Sequence, residues 1–139
     1  MSKRNIIRVG DIMKGHYILM QGTDTVETAI DTLIEHKADT VFIRRRDELD
    51  EFGIVLLADI AKKVLALDKA PARVNLYEIM SKPVLSVDPE MDIRYCARLF
   101  DQFGLSTAPV IRNKEIVGVV TYHEIVLQGL VDYSRQPSP

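Results

Sequence analysis

At 139 residues the chain suits one compact domain or two small halves sharing a core, and its 47% hydrophobic and 27% charged residues are a globular balance. A net charge of −2 excludes a broad basic field for nucleic acid or anionic lipid. The single cysteine, Cys96, excludes an internal disulfide and fits a reducing compartment. The short polar start carries no signal-peptide pattern. The longest apolar run, residues 53–58, is far too short to cross a bilayer. The expectation is a soluble cytoplasmic protein without nucleic-acid or membrane partners.

In chain order, residues 17–20 form a short apolar strand. Asp24 then caps a helix, with Glu27 three residues on as its capping-box partner. Val26, Ala29, Ile30, Leu33 and Ile34 follow helical spacing, which predicts one buried face. Residues 40–43 are β-branched and aromatic and read as a strand. A basic triplet, Arg44-Arg45-Arg46, follows; the acids from Asp47 to Glu51 come at once, so it reads as locally compensated rather than as a phosphate site. Residues 52–57 are apolar without alternation, as in a strand covered on both faces. A helix over 58–67 and a linker over 68–74 complete this portion.

The chain then repeats itself. Asp11-Ile12-Met13 returns as Glu78-Ile79-Met80 at an offset of 67 residues, and Gly53-Ile54-Val55 returns as Gly118-Val119-Val120 at an offset of 65. In the second copy residues 84–87 read as a strand, and Asp88-Pro89 as a helix start. Ile93, Cys96, Ala97 and Phe100 form the apolar stripe of that helix. Residues 108–111 read as a strand at an edge, because Pro109 has no N–H to donate. Asn113-Lys114 is a hairpin tip, residues 116–120 a strand, and 121–133 the last helix. The fold class is therefore mixed α+β. Repeat 1 with its N-terminal lead spans 1–68, a linker 69–75, repeat 2 76–133, and a disordered tail 134–139. Each half is marginal alone, so a pseudo-twofold unit with a cleft between its halves is expected.

The segment Gly118-Val119-Val120-Thr121-Tyr122-His123-Glu124 admits two readings. Thr-x-x-Glu before an apolar helical run is a capping box, contributing on the order of 1 kcal/mol. The same strand-to-helix corner also suits a nucleotide. Spare N–H donors and the Thr121 hydroxyl face a phosphate, the Glu124 carboxylate accepts from a ribose diol, and Gly118 admits a flat group close to the backbone. His123 in the first helical turn either meets a phosphate when protonated or simply faces solvent.

The duplicated pattern resembles the tandem cystathionine-β-synthase (CBS) domain, or Bateman module, over roughly residues 9–131. The resemblance rests on the paired Asp-Ile-Met and Glu-Ile-Met leads, on Ser86-Val87-Asp88-Pro89, on Ala108-Pro109-Val110-Ile111, and on two glycine-initiated strand-to-helix segments. It implies two βαββα repeats, a disc-like homodimer, and an adenine nucleotide or related adenosyl ligand bound between repeats to regulate an unknown protein effector. AMP, ADP, ATP and S-adenosylmethionine are the ligands it allows. The family's ligand motif, Gly-hydrophobic-x-Thr/Ser-x-x-Asp/Asn, maps onto Gly118, Thr121 and Glu124 in copy two, with Glu in place of Asp. In copy one it maps onto Gly53 and Asp59, with Leu56 where the hydroxyl belongs. By the same match the base lies against Thr40 and Val41, or against Ala108 and Pro109, and Ser86 offers a hydroxyl.

The leading expectation is a stand-alone regulatory binding module. The alternative is a ligand-free dimeric interaction module that keeps the fold, which Leu56 and Glu124 favour. An enzyme is not expected: no nucleophile–base pair, P-loop or metal-ligand spacing is present, so neither a metal site nor a required cofactor is expected. The neighbouring acids Glu90 and Asp92 fall in a helix's first turn, where acids are dipole-stabilised in any case.

Overall fold

The computed structural model describes residues 6–131. The expected tail, residues 134–139, and the expected end of the last helix at 132–133 lie outside the described residues. Two compact units are present: residues 17–84 form one, and residues 6–16 join residues 85–131 to form the other. These units are cut elsewhere than the repeat boundaries read from sequence, 1–68 and 76–133, because each lead segment bonds into the opposite copy.

In the unit of residues 17–84, β1 (Leu19–Met20) pairs parallel with β2 (Thr40–Ile43), which pairs antiparallel with β3 (Gly53–Leu56). Helix α2 (Val26–His36) buries Val26, Ala29 and Leu33. Ile34, expected in that buried face, is 71% exposed: it lies at the stripe's margin, where none of the described elements covers it. The N-cap is Thr25, which accepts from Thr28 N at 3.2 Å. Asp24 does not cap this helix; its carboxylate accepts from Gln21 N at 2.9 Å and closes the preceding turn. Helix α3 (Leu57–Ile60) runs into a π-helical turn (Ala61–Leu65) whose wider winding is marked by Ala66 N bonding to Ala61 O at 2.8 Å. Val41, Ile43, Val55, Val64, Leu76 and Ile79 belong to the core.

In the other unit, α1 (Val9–Ile12) is a single turn supplied by the N-terminal lead. Helix α4 (Ile93–Phe103) buries Ile93, Cys96 and Phe100. Its N-cap is Asp92, not Asp88: residues 88–91 make a turn first, and Asp88 accepts from Glu90 N at 2.8 Å. The Arg94 guanidinium on Asp92 holds that carboxyl below its ordinary pKa. β4 (Thr107–Arg112) and β5 (Glu115–Thr121) pair antiparallel through the Asn113-Lys114 tip, both of whose residues have positive φ as a tight hairpin turn demands. The expected strand over 84–87 reduces to one parallel bridge, Val87 to Val110, since only Val87 reaches the β4 ladder. Pro109 gives its carbonyl to Val87 N at 3.1 Å. The last helix is π-wound (Glu124–Leu130).

The internal wiring of the two units coincides. Gly10 N to Pro89 O and Val9 N to Met91 O in one unit correspond, 67 residues on or back, to Tyr77 N to Gly22 O and Leu76 N to Asp24 O in the other. The Lys14–Val119 bridge corresponds to Ser81–Ile54. The glycines of the duplicated strands serve this docking. A Cβ on Gly118 would stand 2.8 Å from the backbone oxygen of Lys14, and one on Gly53 2.8 Å from Met80 Sδ.

Two predictions follow from this packing. Gly118→Ala pushes against backbone and should lose about 1–3 kcal/mol of stability in urea unfolding, whereas Gly53→Ala meets a flexible thioether and should lose roughly half of that or less. Burial pushes the Cys96 thiol pKa up to about 11, so the folded chain holds this proton longer than the unfolded one. Stability from this group is intact below about pH 8.5, the unfolded value, and is lost as pH climbs toward the folded value. Cys96→Ala should therefore show a shallower fall in unfolding free energy between pH 9 and 11 than the unsubstituted protein.

Candidate functional site

Both strand-to-helix corners are built alike. In β5, Thr121 N donates to Glu124 Oε1 at 2.7 Å; at the end of β3, Leu56 N donates to Asp59 Oδ2 at 2.8 Å. Each carboxylate caps the backbone where the sheet stops, and a lysine approaches its second oxygen. Lys14 Nζ lies 3.7 Å from Glu124 Oε2, and Lys63 Nζ 3.6 Å from Asp59 Oδ1. The Glu half of the expected capping box is thus present, but the Thr half differs. Thr121 Oγ1 accepts from His123 N at 3.1 Å, not from Glu124 N, and donates its proton to Glu124 Oε1 at 2.9 Å. The glutamate side chain is long enough to fold back over the hydroxyl and take that donor.

The two acids differ in burial. Glu124 is 2% exposed, while Asp59 is part-buried at 18% of its side chain. Glu124 Oε2 is buried without a hydrogen-bond partner among the described residues, since its lysine stands beyond hydrogen-bonding reach. Thr107 Oγ1 is a second such atom. Thr107 pairs with Thr121 across the β4–β5 ladder, so both unsatisfied atoms flank Thr121. An unmet buried polar atom costs about 1–3 kcal/mol.

Of the residues expected from sequence, the unit containing residues 85–131 brings together Thr121, Glu124 and His123, with Ala108 one pair along the ladder opposite Val120. Ala108 and Pro109 are buried in β4, His123 is exposed as its solvent-facing reading requires, and Ser86 is exposed beside the Val87 bridge. Gly118 lies under Met13 and Lys14, so the lead segment rather than a flat ligand accounts for it. In the unit of residues 17–84, Thr40 faces Leu56 across the ladder near Asp59, and its hydroxyl donates to Asp39 at 3.1 Å; Val41 is fully buried opposite Val55.

Sequence reasoning missed Thr107 and Lys14. The hairpin tip was a signal for the first, but a β-bulge between Val110 and Ile111 shifts the register by one. Counting outward from the tip without it sets Thr107 opposite Val120 instead of Thr121. Among the described residues no group of three or more His, Cys, Asp or Glu is placed to hold a metal ion, and no helix is long and apolar enough to cross a membrane.

The CBS domain family profile matches residues 76–128. Uncharacterized protein MK0525 of Methanopyrus kandleri is 27% identical across 86% of this chain, which spans only 61% of that relative. Among solved structures, the hexameric CBS-CP12 protein from bloom-forming cyanobacteria superposes with a TM-score of 0.87 at 32% identity, covering 97% of this chain and 78% of that one. The CBS domain pair of protein MJ0100, solved with 5′-methylthioadenosine and S-adenosyl-L-methionine, superposes at 0.78 with 26% identity, covering 92% and 99% of the two chains. Twice-repeated wiring and these likenesses agree: the chain belongs to the CBS-domain family and is a tandem CBS module.

Proposed function

We propose that the chain is a regulatory module that binds an adenosyl ligand at the Thr107–Thr121–Glu124 corner and transmits its occupancy to a protein effector. The observation that carries this reading is the pair of unsatisfied buried oxygens, Thr107 Oγ1 and Glu124 Oε2, on either side of Thr121. A ribose diol supplies the donors that a carboxylate oxygen lacks, and an acceptor on the ligand would take the threonine proton. The likeness to MJ0100, whose CBS pair is solved with two adenosyl compounds, supports the ligand class. Regulation would follow from differential affinity, the bound ligand favouring one arrangement of the chain over another. The corner at Leu56 and Asp59 is the weaker candidate, because leucine offers no hydroxyl and the Asp59 side chain, 18% exposed, is open to solvent.

The test is calorimetric titration with S-adenosylmethionine, 5′-methylthioadenosine, AMP, ADP and ATP. At least one should bind saturably, and Thr107→Val should weaken it by about tenfold, the loss of one buried hydrogen bond. If none gives heat or a thermal shift at millimolar concentration, the ligand-binding reading fails and the ligand-free interaction module takes its place.

A homodimer accompanies this reading. An apolar groove of about 470 Å³ runs between α2 and the α3 region, lined by Leu33, Ile34, Leu57, Ile60 and Leu65. Ile34 and Leu65 are 71% and 76% exposed, and a second copy presenting the same helices is the matching apolar partner. Leu65→Glu should shift the sedimentation of the protein toward the monomer; an unchanged mass would remove this face from the interface.

A further inference from the structure

The two strand-to-helix corners share one backbone frame but differ in the side chain that the lead segment brings to each. The bridge between Lys14 and Val119 corresponds to that between Ser81 and Ile54, so Ser81 stands in the unit of residues 17–84 where Lys14 stands in the other. The lysine beside Asp59 is a different one, Lys63, four residues on from the acid. Its Nζ donates to Ile79 O at 3.0 Å, which ties it to the lead segment as well as to the carboxylate. Lys14 has no such tether. Among the described residues its ammonium pairs with one group, Glu124 Oε2 at 3.7 Å, and its side chain is 54% exposed.

Glu124 uses one oxygen and not the other. Oε1 accepts from Thr121 N at 2.7 Å and from Thr121 Oγ1 at 2.9 Å. Oε2 is buried without a hydrogen bond among the described residues, and Lys14 stops short of making one. The backbone of Lys14 is fixed, since its N–H and its carbonyl both bond to Val119 at 2.9 Å. What can move is a flexible four-carbon stem that carries a compact charge. A contact at 3.7 Å with one partner half exposed holds that charge weakly. A phosphoryl oxygen at hydrogen-bond distance holds it more strongly, because donor and acceptor are then both ionised and close.

We propose that Lys14 is a specificity-determining residue of the adenosyl site and reads the group on the ligand's 5′ carbon. The ribose diol takes Glu124 Oε2, and the displaced ammonium pairs with a 5′-phosphate. This inference rests on the adenosyl reading of the Thr107–Thr121–Glu124 corner and adds to it a choice among ligands. A 5′-nucleotide exchanges a long ion pair for a short one. A 5′-thioether has the same base and diol but no anion, so Lys14 then competes with the diol for the same carboxylate oxygen. The corner at Asp59 lacks this discrimination, since Ser81 carries no charge and Lys63 is held on Ile79 O.

The probes are AMP and 5′-methylthioadenosine, which are identical but for that substituent. Both are titrated calorimetrically into the full chain, Lys14→Gln and Lys14→Arg, with thermal unfolding to verify that each variant folds. The unsubstituted chain should bind AMP about tenfold tighter or more, with a preference that shrinks as salt is added. Lys14→Gln should weaken AMP by about tenfold and leave 5′-methylthioadenosine within about threefold or tighter. Lys14→Arg keeps the charge and should retain the preference for AMP. A merely structural lysine would weaken both ligands together. Binding of both without preference for AMP, or an equal loss of both in Lys14→Gln, overturns the role of Lys14; the adenosyl corner itself then stands if Thr107→Val still weakens them. Saturable binding of neither ligand overturns the corner, and this inference with it.

Discussion

Lys14 and Val119 exchange both of their backbone hydrogen bonds at 2.9 Å, and Ser81 and Ile54 exchange theirs at 2.9 and 3.0 Å in the other unit. These two bridges fix where each lead segment goes, and almost everything else is arranged around them. A lead segment lying flat on the last strand of a repeat needs a residue beneath it with no side chain, which is why Gly118 and Gly53 stand in those strands. The segment then carries its own apolar residues into the core: Val9 and Ile12 in one unit, Leu76 and Ile79 in the other, all at most 3% exposed. Neither core is complete without a segment from the opposite copy of the sequence. A small repeat that buries too little by itself thereby acquires a larger apolar interior.

Much of this was legible in the residues. The duplication, the two amphipathic helices, the β2–β3 and β4–β5 hairpins and the Asn113-Lys114 tip all rest on local signals: periodicity, β-branching, and turn residues. The failures share a cause, in that longer-range hydrogen bonds decided between locally equivalent options. Asp24 and Thr25 are both good N-caps; Thr25 wins because Asp24 is drawn back to Gln21 N and its carbonyl to Leu76 N. Asp88 and Asp92 compete likewise, and the three residues between them become a turn because Pro89 and Met91 must present carbonyls to the lead segment. Residues 84–87 have strand composition, yet only one bridge forms.

The candidate site was legible in its chemistry and illegible in its geometry. Thr121, Glu124 and Asp59 were found because a hydroxyl or carboxylate three residues into a strand-to-helix corner has few uses. That spacing cannot distinguish a cap from a ligand contact, and the structure assigns one carboxylate oxygen of each acid to the cap. The two roles are therefore not exclusive: a cap consumes one oxygen and orients the other. Whether the second oxygen is accessible depends on burial and on a lysine that arrives from elsewhere, Lys14 from the lead segment in one unit and Lys63 from the helix itself in the other. Neither lysine is signalled by the motif.

Duplication explains how one chain can hold two corners of the same construction with different electrostatics. The backbone wiring is set by carbonyl and N–H positions, which side-chain substitution leaves alone, so a position such as 23 or 90 is open to change without cost to the fold. Glu90 lies on the surface, 68% exposed, and its ion pairs with Arg8 and Arg112 contribute little stability of their own. Their effect is to cancel charge. In the other unit threonine stands at the equivalent position, and Asn75 where Arg8 stands, so both that acid and one of its two cations are absent there.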